Sequence, residues 1–254
     1  MVRRDETAMG GPDGQLHTTH WTVIFEARST DEERRREALR DLFNRYWKPV
    51  YCYLRRKGRD NETAKDTTQA FLQDIFLGRD LVGKADPKRG KFRTFLLTAL
   101  DHYLVSLHRH DSARKRSPET GLLSLDALES SHDVEEPDPE MTPDQAFHRA
   151  WAVSLLDEVL EAVEDRCRRT AREVHWHVFR SRVVQPILEN VEPPPLKELC
   201  RRYGVADEVQ ASNMIVTVKR WFRETLTRRV AESVPSGDEV EQEIRDLMEI
   251  LSKT

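Results

Sequence analysis

Cysteine is scarce in this 254-residue chain, and Cys52, Cys167 and Cys200 are widely spaced and odd in number. With no Cys-x-x-Cys pair they support neither a disulfide framework nor a thiolate zinc site, and they read as reduced, buried thiols. Ten glycines are too few for the turns of a sandwich, barrel or doubly wound sheet, and no Gly-rich phosphate loop is present. Long apolar runs are also missing. Stretches such as Thr94 to Leu100 and Ala211 to Val218 fall far short of the roughly 18 residues a membrane span needs. Arg3 and Arg4 are followed by Asp5, Glu6 and a Gly/Pro-containing stretch where a signal peptide would need an apolar segment. The expectation is a cytoplasmic chain with no membrane partner.

Enzymatic signatures are lacking as well. No Gly-x-Ser-x-Gly or paired-carboxylate motif occurs. His108 and His110, and His175 and His177, are two residues apart, which on a helix separates them by about 200°. Neither pair makes a good chelate, and no third ligand stands at a recognisable spacing. The chain is therefore read as no enzyme, with no catalytic residue, no bound metal and no cofactor.

What is present is charge. Charged residues make up 34% of the chain and apolar ones 38%, which suits small helical units better than one thick core. The net charge of -4 hides an uneven distribution. Residues 43–116 hold 17 Lys and Arg against 8 Asp and Glu, residues 117–170 hold 4 against 14, and residues 196–230 hold 8 against 4. Two basic blocks thus flank an acidic one. A basic surface attracts polyanions at long range and releases their counterions on contact, so nucleic acid is the natural partner of both flanks.

Apolar periodicity predicts an all-α fold of two small helical domains joined by an acidic linker. Residues 1–16 are read as a disordered N-terminus and 17–116 as the first domain. There, Trp21, Ile24 and Phe25 begin a helical pattern that resumes with Leu39, Leu42, Tyr46, Val50 and Leu54. Gly58 closes that helix, where a left-handed residue is wanted. A third helix opens with Asn61 as cap and runs to about Leu77, the segment from Gly78 to Gly90 reads as a loop, and Phe92 to His108 forms the next helix. Residues 117–142 are the linker. Thr142-Pro143-Asp144 then starts a helix that runs to about Val163 and opens the second domain, 143–234.

The most specific local pattern follows Pro193-Pro194-Pro195. A short helix from Leu196 to Tyr203, a turn at Gly204-Val205-Ala206 and a longer helix from about Val209 to Arg229 read as a helix-turn-helix. Met214, Ile215, Val218, Phe222 and Leu226 form the buried stripe of the second helix. Its polar candidates are Gln210, Ser212, Asn213, Thr217, Lys219, Arg220 and Arg223: amides suit base edges, and cations suit phosphates. Residues 235–254 supply an amphipathic helix expected to cap this domain.

Both basic blocks, in this order, resemble the two-domain, extracytoplasmic-function (ECF) sigma factors of the sigma-70 family. The run from Glu37 to Tyr51 resembles the family's opening helix. Ala64 to Leu72 (Ala-Lys-Asp-Thr-Thr-Gln-Ala-Phe-Leu) is similar to its core-binding helix, and Lys91 to Leu97 (Lys-Phe-Arg-Thr-Phe-Leu-Leu) to the start of its promoter-melting helix. Phe95 stands where the family usually has Trp, and His102 near its usual Asn.

The resemblance implies a sigma factor that binds core RNA polymerase through Asp66, Gln69, Gln73 and Asp74. It implies contacts to the minus-ten element from the first domain, through Lys84, Lys88, Arg89, Lys91 and Arg93, and to the minus-35 element from the helix-turn-helix. Phe92, Phe95 and Tyr103 would lie near a flipped base of the melted minus-ten strand, with core packing as the competing reading. The implied partners are core polymerase, double-stranded promoter DNA and its melted strand, and an anti-sigma factor of the kind that often holds members of this family inactive. A stand-alone helix-turn-helix transcriptional regulator and a degenerate sigma-like adapter remain the alternatives.

Overall fold

The computed structural model describes residues 20–78, 81–86, 89–113, 137–231, 234 and 237–252. The chain is all-α, with no strand among these residues. The expected N-terminal segment 1–16 lies outside them, as does most of the acidic linker.

Local chemistry explains where the helices begin. α1 (His20–Glu26) precedes α2 (Glu32–Arg56), whose N-cap Asp31 accepts hydrogen bonds from the amides of Glu33 and Arg34 at 3.1 and 3.3 Å. Such a cap satisfies amides that have no partner within the helix. α2 runs straight through Pro49, which is buried with Tyr46, Val50 and Leu54 on the core side. Packing along that stripe outweighs the backbone hydrogen bond that proline removes. Gly58 takes the left-handed conformation, φ +84°, as expected for the residue closing this helix.

α3 (Asn61–Gln73) is capped by Asp60, one residue before the expected cap. The hydrogen bonds Asp60 receives from Thr63 hold its carboxyl below the ordinary range. Asp74–Gly78 continues α3 as a π-helical turn. Within the expected loop lies one helical turn, α4 (Leu81–Lys84). The Arg28 guanidinium holds its end by donating to the carbonyls of Val82 and Ala85 at 2.5 and 2.6 Å. α5 spans Phe92–Ala113.

α6 (Pro143–Arg169) starts in a capping box: Thr142 Oγ1 accepts from the Gln145 amide at 3.2 Å, and Gln145 Oε1 from the Thr142 amide at 2.8 Å. It outruns the expected end near Val163, because Cys167 extends the buried series Leu155, Val159 and Val163 by one more turn. After α7 (Glu173–Phe179), a π-helical turn leads into α8 (Gln185–Glu189), which ends at Asn190 in the left-handed conformation. α9 (Leu196–Tyr203), α10 (Glu208–Ala231) and α11 (Val240–Ser252) complete the chain.

Two apolar cores form, and they do not part at residue 143. The first gathers α1, α2, α3, the start of α5 and the first half of α6, and it also takes Leu226 and Val230 of α10 and Val240 and Leu247 of α11. The second joins Val163 and Cys167 of α6 to α7, α9 and the first half of α10. α6 and α10 are therefore shared, and Phe222 packs against both cores. A bidentate bond from Arg45 on α2 to Glu158 on α6, at 2.9 and 3.2 Å, reinforces the junction. α11 lies on α6 and the end of α10 and belongs to the first core. Its partners α6 and α10 both belong to the segment 143–234 that it was expected to cap, and it meets them at the end where they enter the first core.

Candidate nucleic-acid interface

The second basic block is organised by Leu199, Val205, Ala211, Ile215 and Val218, all buried in the second core. Between α9 and α10, Gly204 adopts φ +67°, and its amide closes α9 on the Cys200 carbonyl. Asp207 accepts from the Gln210 amide at 2.7 Å, while Gln210 Oε1 accepts from the Ala206 amide at 3.1 Å. Reciprocal capping therefore fixes where α10 begins. It also occupies Gln210, an expected base-reading residue, with the turn itself.

The buried stripe of α10 determines its outward face. Asn213, Lys219, Arg220 and Arg223 are exposed, whereas Ser212 and Thr217 are half-buried. Thr217 Oγ1 donates to the Asn213 carbonyl at 2.9 Å. Arg220 lies 3.8 Å from Glu224 in an exposed pair, which holds it only weakly. Sequence reasoning missed Val209 and Val216, which are 70% and 64% exposed. With Asn213 and Arg220 they fall on one side of the helix at three- and four-residue spacing. Their signal was present, since both lie off the buried 211/215/218 stripe. Arg166 and Arg172 lie over the Trp221 ring of the second core, 4.3 and 5.3 Å from its centre.

The first basic block is arranged differently. Lys84 and Arg89 are exposed, and Arg89 lies 3.9 Å from Asp86. Lys88 lies outside the described residues. Arg93, expected on the surface as a backbone contact, is buried. Its guanidinium meets both oxygens of Glu243 on α11, the longer contact being 3.1 Å, and lies 4.3 Å from the centre of the Trp151 ring. Lys91 is half-buried and bridges Glu243 and Asp246, the latter at 3.0 Å. Arg93 is corrected from a surface cation to a desolvated partner of Glu243, since a buried charge requires a close counter-charge.

The group draws on three helices. His148 of α6 stands in the same electrostatic environment. Burial, then the charge of Arg93, lowers its pKa below the ordinary histidine value. Burial pushes the Asp246 carboxyl up, but hydrogen bonds from Gln242 and Lys91, together with the charges of Lys91 and Arg93, hold it below the usual range. Sequence reasoning placed Trp151 in the core but found neither its contact with Arg93 nor Glu243, because nothing local joins residue 93 to residues 151 and 243.

The expected polymerase-binding residues sit on α3 and its π-helical extension. Asp66 is exposed, and Gln69 and Gln73 are half-buried along the same side of the helix. Asp74, also half-buried, begins the π turn. The opposite side, with Ala64, Thr68, Phe71 and Leu72, faces the core. Phe92 is a core ring, packed edge-on against Trp21 and Tyr46. Phe95 and Tyr103 are half-buried, and Tyr103 meets Phe71 edge-on at 5.3 Å.

Among the described residues, no three His, Cys, Asp or Glu side chains converge to hold a metal. No helix among them is long and apolar enough to cross a membrane. Comparison with known proteins gives no match to a family model, a curated protein or a solved structure.

Proposed function

We propose that this chain is a sigma-type initiation factor that docks on core RNA polymerase and directs it to promoters in the cytoplasm. The observation that carries the reading is the outward face of α10. A left-handed glycine turn and reciprocal caps set the helix, Ala211, Ile215 and Val218 anchor one side, and Asn213, Lys219, Arg220 and Arg223 stand on exposed positions. An amide among cations on a rigid helix suits major-groove edges flanked by phosphates. The polar side of α3, with Asp66, Gln69 and Gln73, has the mixed character of a protein interface and supports docking on polymerase.

The withdrawal of Lys91 and Arg93 into ion pairs favours one second reading, a sigma-like adapter that keeps polymerase binding without promoter melting. Co-purification with core polymerase tests both against a stand-alone DNA-binding regulator. A stoichiometric complex, weakened by D66K or Q69A, is the expected result. A chain that binds duplex DNA but never associates with polymerase would leave the regulator as the correct assignment.

A further inference from the structure

α11 presents two carboxylates, three residues apart and on one face, to the two cations at the head of α5. Glu243 is fully buried and contacts both Lys91 and Arg93, while Asp246 is one-third exposed and holds Lys91 at 3.0 Å. Arg93 Nε meets no acceptor among the described residues, so Glu243 satisfies only the terminal nitrogens of the guanidinium. On the same side of α11, Val240 and Leu247 are buried, and Ile244, Ile250 and Leu251 pack against the first core. Gln242, Arg245 and Met248 are exposed. The helix is the last regular element described, and Pro235 and Gly237 precede it in the sequence.

We infer that α11 is an acidic strap that competes with nucleic-acid phosphates for Lys91 and Arg93. The inference rests on the proposed reading of the first basic block as a nucleic-acid surface and names the regulation of that site. Two carboxylates one turn apart offer these cations what a phosphate backbone offers them: paired acceptors for a lysine and a guanidinium. With the strap seated, only Lys84 and Arg89 stand exposed among the described members of the set Lys84, Lys88, Arg89, Lys91 and Arg93 expected to contact the minus-ten element. With it released, the head of α5 gains two charges. Strap and polyanion are then mutually exclusive, and each weakens the other by the same factor.

The test uses the full chain and a labelled single-stranded oligonucleotide of mixed sequence. D246N loosens the strap at its exposed pair and leaves the buried Glu243 in place. E241Q removes the same charge from an exposed position on the same helix. D246N should tighten oligonucleotide binding about fivefold to tenfold at low salt, within the usual range of such couplings, and E241Q by less than about twofold. K91Q should abolish the D246N gain in a double-mutant cycle. Hydrogen exchange supplies a second readout: oligonucleotide should speed exchange of the amides from Glu243 to Leu251 in the unaltered chain.

Equal tightening by D246N and E241Q, or bound oligonucleotide with exchange of α11 unchanged, would overturn the strap. If polymerase binding persists in that case, the functional reading survives without it. If D246N behaves as expected but no polymerase complex forms, the strap stands and the sigma assignment falls.

Discussion

The cations at the head of α5 and those along α10 look alike in sequence and are opposite in placement. Lys91 and Arg93 face Glu243 and Asp246, whereas Lys219, Arg220 and Arg223 are exposed. A run of basic residues locates a charged helix, but its counter-charge can come from a distant part of the chain. Here it comes from about 150 residues away, on a helix whose own sequence reads only as amphipathic. One cationic group is paired within the fold while the other stands exposed, and substitutions in the two should have opposite signatures.

E243L should produce the largest effect. It leaves Arg93 buried without its carboxylate, and removing one partner of a buried pair costs about 3–5 kcal/mol. Urea denaturation should show this loss, and the double variant R93M/E243L should recover most of it. A loss below about 1 kcal/mol would mean that the pair is effectively solvated.

T142A removes the cap of α6 and should cost about 1 kcal/mol. Because α6 and α10 each run through both cores, the unfolding curve should move as one transition. Two separating transitions, with only one displaced, would show that the cores fold independently.

His148 predicts a smaller, pH-dependent difference. Its folded pKa is lowered by burial and by Arg93, so on acidification the unfolded chain takes the proton first. The stability linked to this group is fully present above its ordinary pKa of 6.5 and is lost as the pH falls from there through the lowered folded value. Urea titrations between pH 7.5 and 5.5 should show a steeper decline for the unaltered chain than for H148Q. Parallel curves would contradict the assignment.

The smallest stability effect belongs to α10. K219Q and R220Q should change stability by no more than about 0.5 kcal/mol, as exposed substitutions generally do. Each should nevertheless lower the salt slope of duplex DNA binding by about one unit. A large stability loss with DNA binding unchanged would reverse the contrast between the two helices.

Much of this architecture was legible where one local interaction decides the outcome. Gly58 and Gly204 take the left-handed conformation that ends a helix, and Thr142-Pro143 opens α6. The stripe containing Ile215 and Val218 anticipates which side of α10 is covered, and so which of its polar residues face outward. Non-local packing was not legible. The division at 143 followed the acidic linker and missed that α6 inserts its first half into the first core. Arg93 was assigned to the surface by its basic neighbours, since its partners Trp151 and Glu243 lie on two helices far along the chain.

Run-off transcription with core polymerase and fragmented genomic DNA tests the central claim most directly. Adding the full chain should generate discrete new transcripts, and replacing Asn213, Arg220 and Arg223 together should abolish them while polymerase binding persists. Initiation that is unchanged by the chain, with no complex formed at any concentration, would contradict the assignment.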